Sequence, residues 1–171
     1  MHALLIDGLN LIRRVHAGVP DTGDPTTRKK AVEKACVASV HRALRHHRPS
    51  HVICALDGEE PSWRSILFPE YKKNRRPMPD DLRLSIKAIL QRFEKEGIGA
   101  VLAPEFEADD VIASIAYKVM RAGGRATVLS TDKSFCQLLS DAVLVYDHFS
   151  SLYQVGNYVL DRFGVEPYQL V

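Results

Sequence analysis

The chain has 171 residues, of which 46% are hydrophobic and 26% are charged. This length and composition predict one globular domain with a single core, and they exclude a disordered, collagen-like or membrane-embedded chain. Lys and Arg exceed Asp and Glu only by 23 to 21, so the net charge of +2 does not by itself indicate a nucleic-acid-binding protein. Evidence for such binding must come from how the charges are distributed.

The cysteines and the N-terminal residues indicate where in the cell the protein is expected. The three cysteines are widely spaced and form no C-x-x-C pair, so we expect them to be reduced and buried. The apolar run before the first acidic residue, Asp7, is too short for a signal peptide or a membrane span. The sequence therefore predicts a cytoplasmic protein with no membrane partner.

Short apolar runs alternate with amphipathic segments along the chain. In chain order they predict a strand at 3–6, a helix at 26–47, a strand at 51–56, a helix at 79–97, a strand at 98–102, a helix at 107–122, strands at 126–129 and 142–146, and the start of a further helix from 157. Strands that alternate with helices form a mainly parallel sheet covered on both faces. We therefore predict a single α/β domain over residues 1–171, with three layers (α/β/α), a mainly parallel sheet of about five strands and an irregular insertion at about 59–79.

Aspartates stand at the carboxyl ends of three of the predicted strands, and the helix predicted at 107–122 opens with further acidic residues. Because the carboxyl ends of parallel strands meet at one edge of a sheet, these side chains should become neighbours. The six candidate carboxylates are Asp7, Asp57, Glu107, Asp109, Asp110 and Asp132.

Each carboxylate also has an ordinary structural interpretation. Asp-Gly pairs, as at Asp7 and Asp57, are frequent in turns, and Asp132 could cap the helix that follows it. Acidic residues in the first turn of a helix satisfy free N–H groups and suit the helix dipole. Asp109, however, lies beside the apolar stripe of its helix and should point inward.

Together the six carboxylates would repel one another unless hard cations lay between their oxygens. Oxygen ligands without His or Cys favour Mg²⁺ or Mn²⁺ over zinc. Two such ions about 4 Å apart can activate a water and stabilise the leaving oxygen of a phosphodiester. The sequence contains neither a G-x-x-x-x-G-K-[ST] loop nor a G-x-G-x-x-G motif, so no nucleotide cofactor is predicted.

Basic and aromatic residues are interleaved in the insertion. They are Trp63, Arg64, Phe68, Tyr71, Lys72, Lys73, Arg75 and Arg76, with Glu70 as the acid among them. Aromatic rings suit base stacking and cations suit the phosphate backbone, although a solvated basic loop is the alternative. Because the insertion directly follows the strand that ends at Asp57, it should lie over the carboxylate edge.

Five motifs follow one another in a particular order. They are Leu5-Ile6-Asp7-Gly8, Leu56-Asp57-Gly58, Trp63-Arg64 with Pro69-Glu70-Tyr71-Lys72-Lys73-Asn74-Arg75, Glu107-Ala108-Asp109-Asp110, and Ser130-Thr131-Asp132-Lys133 followed by Gln137-Leu138-Leu139. With them the sequence resembles, over nearly its whole length, the bacterial 5′-3′ exonuclease and flap endonuclease family, which includes the N-terminal nuclease domain of DNA polymerase I and its small stand-alone relatives. The resemblance implies a PIN-like, resolvase-like fold and Mg²⁺-dependent hydrolysis of DNA at 5′ ends or 5′ flaps, with roles in DNA replication and repair.

The resemblance also implies roles for individual residues. By it, Asp7, Asp57, Glu107 and Asp109 would hold a first Mg²⁺ or Mn²⁺, and Asp110 and Asp132 would contribute to a second. Lys72 and Arg75 would contact the scissile region, and Tyr71 would stack on a terminal base. The implied DNA-binding set is Arg64, Tyr71, Lys72, Lys73, Arg75, Arg76 and Lys133.

Two departures from the family pattern shape the expected activity. Many relatives carry a further aspartate at the place of Ser134, so the second metal site is expected to be the weaker one. The family continues into a helix-hairpin-helix region that binds the duplex, and we expect that region to be absent here. A catalytically weak or inactive DNA-binding remnant of the family and a PIN-type ribonuclease are the alternatives, and the basic insertion argues against the ribonuclease.

Overall fold

The computed structural model describes residues 1–58, 61–74 and 77–170. Arg75 and Arg76 of the predicted site therefore lie outside the described residues. In chain order the elements are β1 His2–Asp7, α1 Gly8–Gly18, α2 Pro25–His47, β2 His51–Leu56, α3 Trp63–Leu67, α4 Asp80–Lys95, β3 Gly99–Leu102, α5 Ala108–Arg121, β4 Arg125–Leu129, β5 Val143–Asp147, β6 Leu152–Gln154 and α6 Gly156–Phe163. Short 3₁₀ helices occupy Lys133–Leu138 and Pro167–Gln169.

The strands form one sheet in the order β3-β2-β1-β4-β5-β6. Strands β1 to β5 pair in parallel, and β6 pairs with β5 in the antiparallel direction. The prediction of a mainly parallel sheet is confirmed, and the antiparallel β6 adds a strand to the five predicted. The chain builds outward from β1 to β3 and then returns to β4 on the other side of β1, so the strand order reverses between β1 and β4. Parallel sheets bind ligands at such a reversal.

Helices cover both faces of the sheet. Side chains alternate across a strand, so Leu4 and Ile6 of β1 pack in the core beneath α1, α2 and α4. Ala3 and Leu5 point to the opposite face and pack with Ile112 and Ala116 of α5. This arrangement confirms the predicted three layers.

Helix α1 was not predicted, because the Asp7-Gly8 pair suggested a turn. In the structure the chain passes from β1 directly into α1, and Asp7 is the N-cap residue. A Cβ atom at Gly8 would lie 2.8 Å from the carbonyl oxygen of Ala55, so glycine allows the helix to start against β2. This close start brings the first turn of α1 to the carboxyl ends of the strands.

All three cysteines are free and buried, as predicted. Burial raises the pKa of the Cys36 and Cys54 thiols to about 12, so both remain protonated and unreactive at neutral pH. Across the described residues, none of the helices has the length and apolar character required to span a bilayer.

Candidate functional site

Asp7 lies at the reversal of strand order and is 7% exposed. Its Oδ1 accepts a hydrogen bond from the backbone N–H of Asn10 at 3.1 Å, and its Oδ2 accepts one from the Ser130 hydroxyl at 2.8 Å. Burial raises the pKa of Asp7, and the nearby charges of Asp57 and Asp132 act in the same direction. Two hydrogen bonds thus fix the Asp7 carboxylate, and the carboxylates of Asp57 and Asp132 repel its negative charge.

Asp57 and Asp132 are each fixed by the start of a helix. The Oδ1 atom of Asp57 accepts the backbone N–H of Ala108, the first residue of α5, at 2.9 Å. The Oδ1 atom of Asp132 accepts the backbone N–H of Ser134 at 2.9 Å, so Asp132 caps the 3₁₀ helix that follows. The capping interpretation of Asp132 is therefore correct, and no residue in the described part of the chain forms a hydrogen bond with its second carboxylate oxygen.

Asp109 is the most electrostatically perturbed carboxylate of the edge. Its pKa is raised to about 6 by partial burial first, and then by the charges of Asp7, Asp132 and Asp57, while Lys72 opposes the shift. These interactions require the four aspartates to lie close together. The predicted convergence of the strand ends with the first turn of α5 therefore holds for Asp7, Asp57, Asp109 and Asp132.

Glu107 and Asp110 are instead paired with basic residues of the insertion. The Lys72 ammonium lies 2.9 Å from Glu107 Oε1, and the Tyr71 hydroxyl donates to Glu107 Oε2 at 3.0 Å. Arg64 donates to both carboxylate oxygens of Asp110, at 2.6 and 2.8 Å. The described part of the insertion therefore lies over the carboxylate edge, as its position in the sequence predicted.

Asp110 has a second role at the start of α5. Its Oδ2 accepts the backbone N–H of Glu107 at 3.1 Å, which is a helix-capping contact. Burial alone would raise the pKa of Asp110, but the hydrogen bonds from Arg64 and Glu107 and the Arg64 charge lower it. Capping and membership of the acidic cluster are therefore not exclusive interpretations of this residue.

The donor set matches a hard divalent cation in chemistry but does not form a closed ligand shell. All six candidate ligands are carboxylates, which Mg²⁺ and Mn²⁺ prefer. Within residues 1–58, 61–74 and 77–170, no group of three His, Cys, Asp or Glu side chains is arranged to hold a metal ion. Glu107 forms an ion pair with Lys72, and Asp110 forms one with Arg64. These two side chains supply the positive charge that a metal ion would supply at the same carboxylates.

Several predicted DNA-binding residues contact other protein groups. Lys73 pairs with the exposed Glu70 at 2.8 Å, and the Lys133 ammonium lies 5.1 Å from the centre of the Tyr158 ring. The guanidinium of Arg64 lies 4.5 Å from the centre of the Trp63 ring while it also binds Asp110. Among the described basic residues of the insertion, Arg64 and Lys72 lie beside the acidic edge, through Asp110 and Glu107.

Sequence reasoning gave no separate role to Ser130 and Asn10. The Ser130 hydroxyl donates to Asp7 and accepts the backbone N–H of Asp132 at 3.1 Å, so it links two of the aspartates. The Asn10 amide donates to the Thr131 hydroxyl at 3.0 Å and joins α1 to the end of β4. For Ser130 the sequence signal was its place in a run of small polar residues directly after a buried strand.

Two similar sequences are flap endonucleases of Shewanella. The chain is 41% identical over 168 residues to "Flap endonuclease Xni" of Shewanella denitrificans and 42% identical to that of Shewanella baltica. These matches cover 98% of this chain but 65% and 62% of the relatives. The chain thus spans slightly less than two thirds of the length of these proteins.

Solved structures share the fold at low sequence identity. The bacteriophage T5 D15 protein, co-crystallised with metal ions, superposes with a TM-score of 0.80 at 17% identity, and the match covers 98% of this chain and 63% of that one. The catalytic core of Rad2 in complex with DNA superposes with a TM-score of 0.56 at 12% identity. That match covers 98% of this chain and 50% of the Rad2 chain.

A family model is matched over almost the entire chain. The matched span is residues 2–164, and the model describes the 5′-3′ exonuclease, N-terminal resolvase-like domain. The span includes all six carboxylates and the basic insertion. The chain belongs to the 5′-3′ exonuclease family and carries its N-terminal resolvase-like domain.

Proposed function

We propose that this chain is the catalytic domain of a divalent-metal-dependent nuclease that hydrolyses DNA phosphodiester bonds at 5′ ends or 5′ flaps. The observation that carries the proposal is the convergence of Asp7, Asp57, Asp109 and Asp132 at the reversal of strand order. Burial first, and then the charges of the other three aspartates, raise the pKa of Asp109 to about 6, and a perturbed carboxylate of this kind supports the assignment of a cation-binding site.

We assign the first metal site to Asp7, Asp57, Glu107 and Asp109, and a second, weaker one to Asp110 and Asp132. Bound Mg²⁺ or Mn²⁺ would supply an activated water and charge stabilisation for the leaving oxygen. The second site would be weaker because Ser134 offers no carboxylate and because Arg64 holds both oxygens of Asp110.

The basic insertion would bind and orient the DNA. Lys72 and Arg75 would contact the scissile phosphate, because Lys72 already lies beside the acidic edge through its ion pair with Glu107. Tyr71 would stack on a terminal base after its hydroxyl leaves Glu107. The remaining basic residues, Arg64, Lys73, Arg76 and Lys133, would contact the phosphate backbone.

The test is cleavage of a fluorescently labelled 5′-flap DNA with Mg²⁺, with Mn²⁺ and with EDTA. The variant Asp109→Asn removes one charge of the cluster with little change in shape, and Asp161→Asn on the exposed face of α6 is the matched control. We expect metal-dependent cleavage in the native chain and the control, and none in Asp109→Asn.

One other result would replace the proposal with the alternative of a non-catalytic domain. The native chain would then fail to cleave, yet divalent metal would raise its melting temperature, and Asp109→Asn would lack that rise. Such a chain would bind metal and DNA without turnover.

A further inference from the structure

The place where the basic insertion returns to the domain is tied to α1 and α2 through one carboxylate. The insertion leads into α4, and Asp81 lies in the first turn of that helix. The Oδ2 atom of Asp81 accepts a hydrogen bond from Nε2 of His16 in α1 at 2.8 Å and one from Nη1 of Arg28 in α2 at 2.7 Å. A single carboxylate oxygen therefore connects α1, α2 and α4.

Both basic partners of Asp81 are more buried than Asp81 itself. The side chains of His16 and Arg28 are 12% and 24% exposed, against 45% for Asp81. The contact with Asp81 is the one side-chain hydrogen bond of Arg28 in the described part of the chain. The hydrogen bond from His16 is the main cause that lowers the pKa of Asp81, so the carboxylate is ionised at neutral pH. Loss of its charge would leave the Arg28 guanidinium without that acceptor.

The insertion itself is held by side-chain hydrogen bonds on its α5 side. In its described residues, 61–74 and 77–79, each side-chain hydrogen bond to the rest of the domain goes to Glu107 or Asp110. Met78 packs against the core, but an apolar contact of this kind is not directional. Asp81 therefore supplies the polar contact that holds the other end of the insertion, on the side of α1 and α2.

The first turn of α4 depends on this contact because the helix lacks a side-chain cap. Its N-cap residue, Pro79, makes no side-chain hydrogen bond to the free N–H groups of the turn. Helix ends open more readily than packed interiors. Leu82 is buried in the core and fixes the body of α4. The turn that can open is therefore the one that contains Asp81 and carries the end of the insertion.

We propose that Asp81 is a positioning residue, which binds His16 and Arg28 and thereby keeps the basic insertion ordered over the carboxylate edge before DNA arrives. The inference rests on the proposed function, because Tyr71 and Lys72 of the insertion are the groups that would meet the substrate. Without the contact, the insertion would have to be ordered during binding. The apparent affinity for DNA would then fall with the fraction of molecules in the ordered state, while chemistry in the bound complex would continue.

The variant that tests this role is Asp81→Asn, and its neighbour gives the matched control. Asp80→Asn removes the same charge from the same helix turn, so any effect of the helix dipole is common to both variants. Asp80, however, is 82% exposed at its side chain and pairs only with Arg83 of its own helix in the described part of the chain. A difference between the two variants therefore reports the contact with His16 and Arg28.

Limited proteolysis with trypsin measures the order of the insertion without reference to catalysis. Trypsin cuts after lysine and arginine, and mass spectrometry distinguishes cuts after Lys72 and Lys73 in the insertion from cuts after Lys118 and Arg121 in α5. All four side chains are exposed. A variant that has only lost global stability is cut faster in both segments, whereas a variant with a released insertion is cut faster in the insertion alone.

We expect Asp81→Asn to be cut in the insertion roughly fivefold faster than the native chain, as the loss of one partly exposed ion pair allows. Cuts in α5 should keep their rate, and Asp80→Asn should match the native chain in both segments. Asp81→Glu, which retains the charge, should restore part of the protection. Arg28→Gln should reproduce the effect, and its combination with Asp81→Asn should add little, because both changes remove the same contact.

Steady-state cleavage of 5′-flap DNA in saturating Mg²⁺ gives the second measurement. We expect Asp81→Asn to raise KM by a similar factor and to leave kcat unchanged, because the insertion is ordered again in the bound complex and the metal-site carboxylates are intact. Asp80→Asn should have the native KM and kcat. Should Asp81→Asn fail to fold, Arg28→Gln gives the same comparisons.

Native rates of tryptic cutting in Asp81→Asn, or equal acceleration in Asp80→Asn, would overturn the inference. A lowered kcat with an unchanged KM would overturn it as well. Failure of the proposed function has a different signature, since the native chain would then cleave no DNA with any metal. The tryptic pattern would still report the Asp81 contact in that case, so the two failures are distinguishable.

Discussion

The guanidinium of Arg64 makes a two-point contact with Asp110, in which Nη1 and Nη2 donate to Oδ2 and Oδ1 at 2.6 and 2.8 Å. A planar, bidentate pair of this kind is among the stronger contacts between charged side chains. It joins the basic insertion to the first turn of α5. The same contact occupies a carboxylate that we assign to a metal site, so Arg64 and a cation would compete for Asp110.

We therefore predict that Arg64→Gln binds Mn²⁺ more tightly than the native chain and is less stable without metal by about 1–2 kcal/mol. Metal affinity would rise because Asp110 is released and a positive charge is removed. Calorimetric titration with Mn²⁺ and thermal melting in EDTA measure the two effects. Lys73→Gln, whose partner Glu70 is exposed, should change neither, and weaker Mn²⁺ binding by Arg64→Gln would refute competition.

Asp109→Asn should stabilise the metal-free fold at neutral pH. The pKa of Asp109 is about 6 in the fold, above its ordinary value of 3.8, so its ionisation destabilises the native state as pH rises through that window. The gain should be about 1–2 kcal/mol at pH 7, reduced from the full linkage value because solvent screens a partly exposed group.

Urea unfolding of the native chain and Asp109→Asn in EDTA, at pH 4 and at pH 7, measures this effect. The two proteins should differ little at pH 4, where the native Asp109 is protonated, and should diverge by pH 7. The control Asp161→Asn should follow the native chain at both values. Equal stability of all three proteins at pH 7 would mean that ionised Asp109 does not destabilise the fold.

The buried histidines predict a separate loss of stability in mild acid. Burial lowers the pKa of His47 and His148 to about 4, and further positive groups, such as Arg42 beside His148, act in the same direction. Because the unfolded chain binds these protons near pH 6.5 and the native chain does not, stability should fall as pH drops from about 6.5 towards 4.

His148→Gln should flatten that dependence, because it removes one of the two groups. The His148 ring also contacts the Ser39 hydroxyl at 2.8 Å, so the variant should be less stable at pH 7 as well. Urea midpoints between pH 4 and pH 7 test this, with the exposed His51→Gln as control. A slope as steep in His148→Gln as in the native chain would assign the acid sensitivity elsewhere.

Gly8→Ala should destabilise the fold by about 1–3 kcal/mol, since the added methyl group would have to displace backbone. It would meet the Ala55 carbonyl oxygen and the Cys54 sulfur, both at 2.8 Å. Gly18→Ala, at the other end of α1, has nothing within 4 Å of the new methyl group and should be tolerated. Thermal melting of the two variants compares them directly, and equal melting temperatures would mean that β2 can move away from α1.

The sequence allowed prediction of the parallel strands and of three of the larger helices because their apolar residues recur at the period of the element. The predicted strand 51–56 has the observed bounds, and the helix predicted at 26–47 differs by one residue from α2. Strand β6 was missed because it has only three residues, two of them exposed, and so carries no such pattern. Helix α3 has five residues, none of them buried, and so it carries no apolar pattern either.

The acidic edge could be predicted because parallel topology alone brings strand ends together. The pairing of Arg64 with Asp110 could not be predicted, since the two residues are 46 positions apart and meet only through the path of an irregular segment. The same reason applies to Lys72 with Glu107. Topology therefore gave the position of the carboxylates, whereas their partners depend on tertiary contacts that leave no local periodicity.

Asp57 and Asp132 each accept a backbone N–H at the start of a helix through one carboxylate oxygen, and the other oxygen has no hydrogen-bond partner among the residues that the structure describes. Their side-chain torsions are therefore restricted during folding, before any ligand arrives. An incoming cation would then not have to immobilise two mobile side chains, so its capture would lose less rotational entropy. A site of this kind achieves affinity through rigidity, and substitutions that loosen the N-terminus of α5 should weaken ion capture even where every carboxylate is retained.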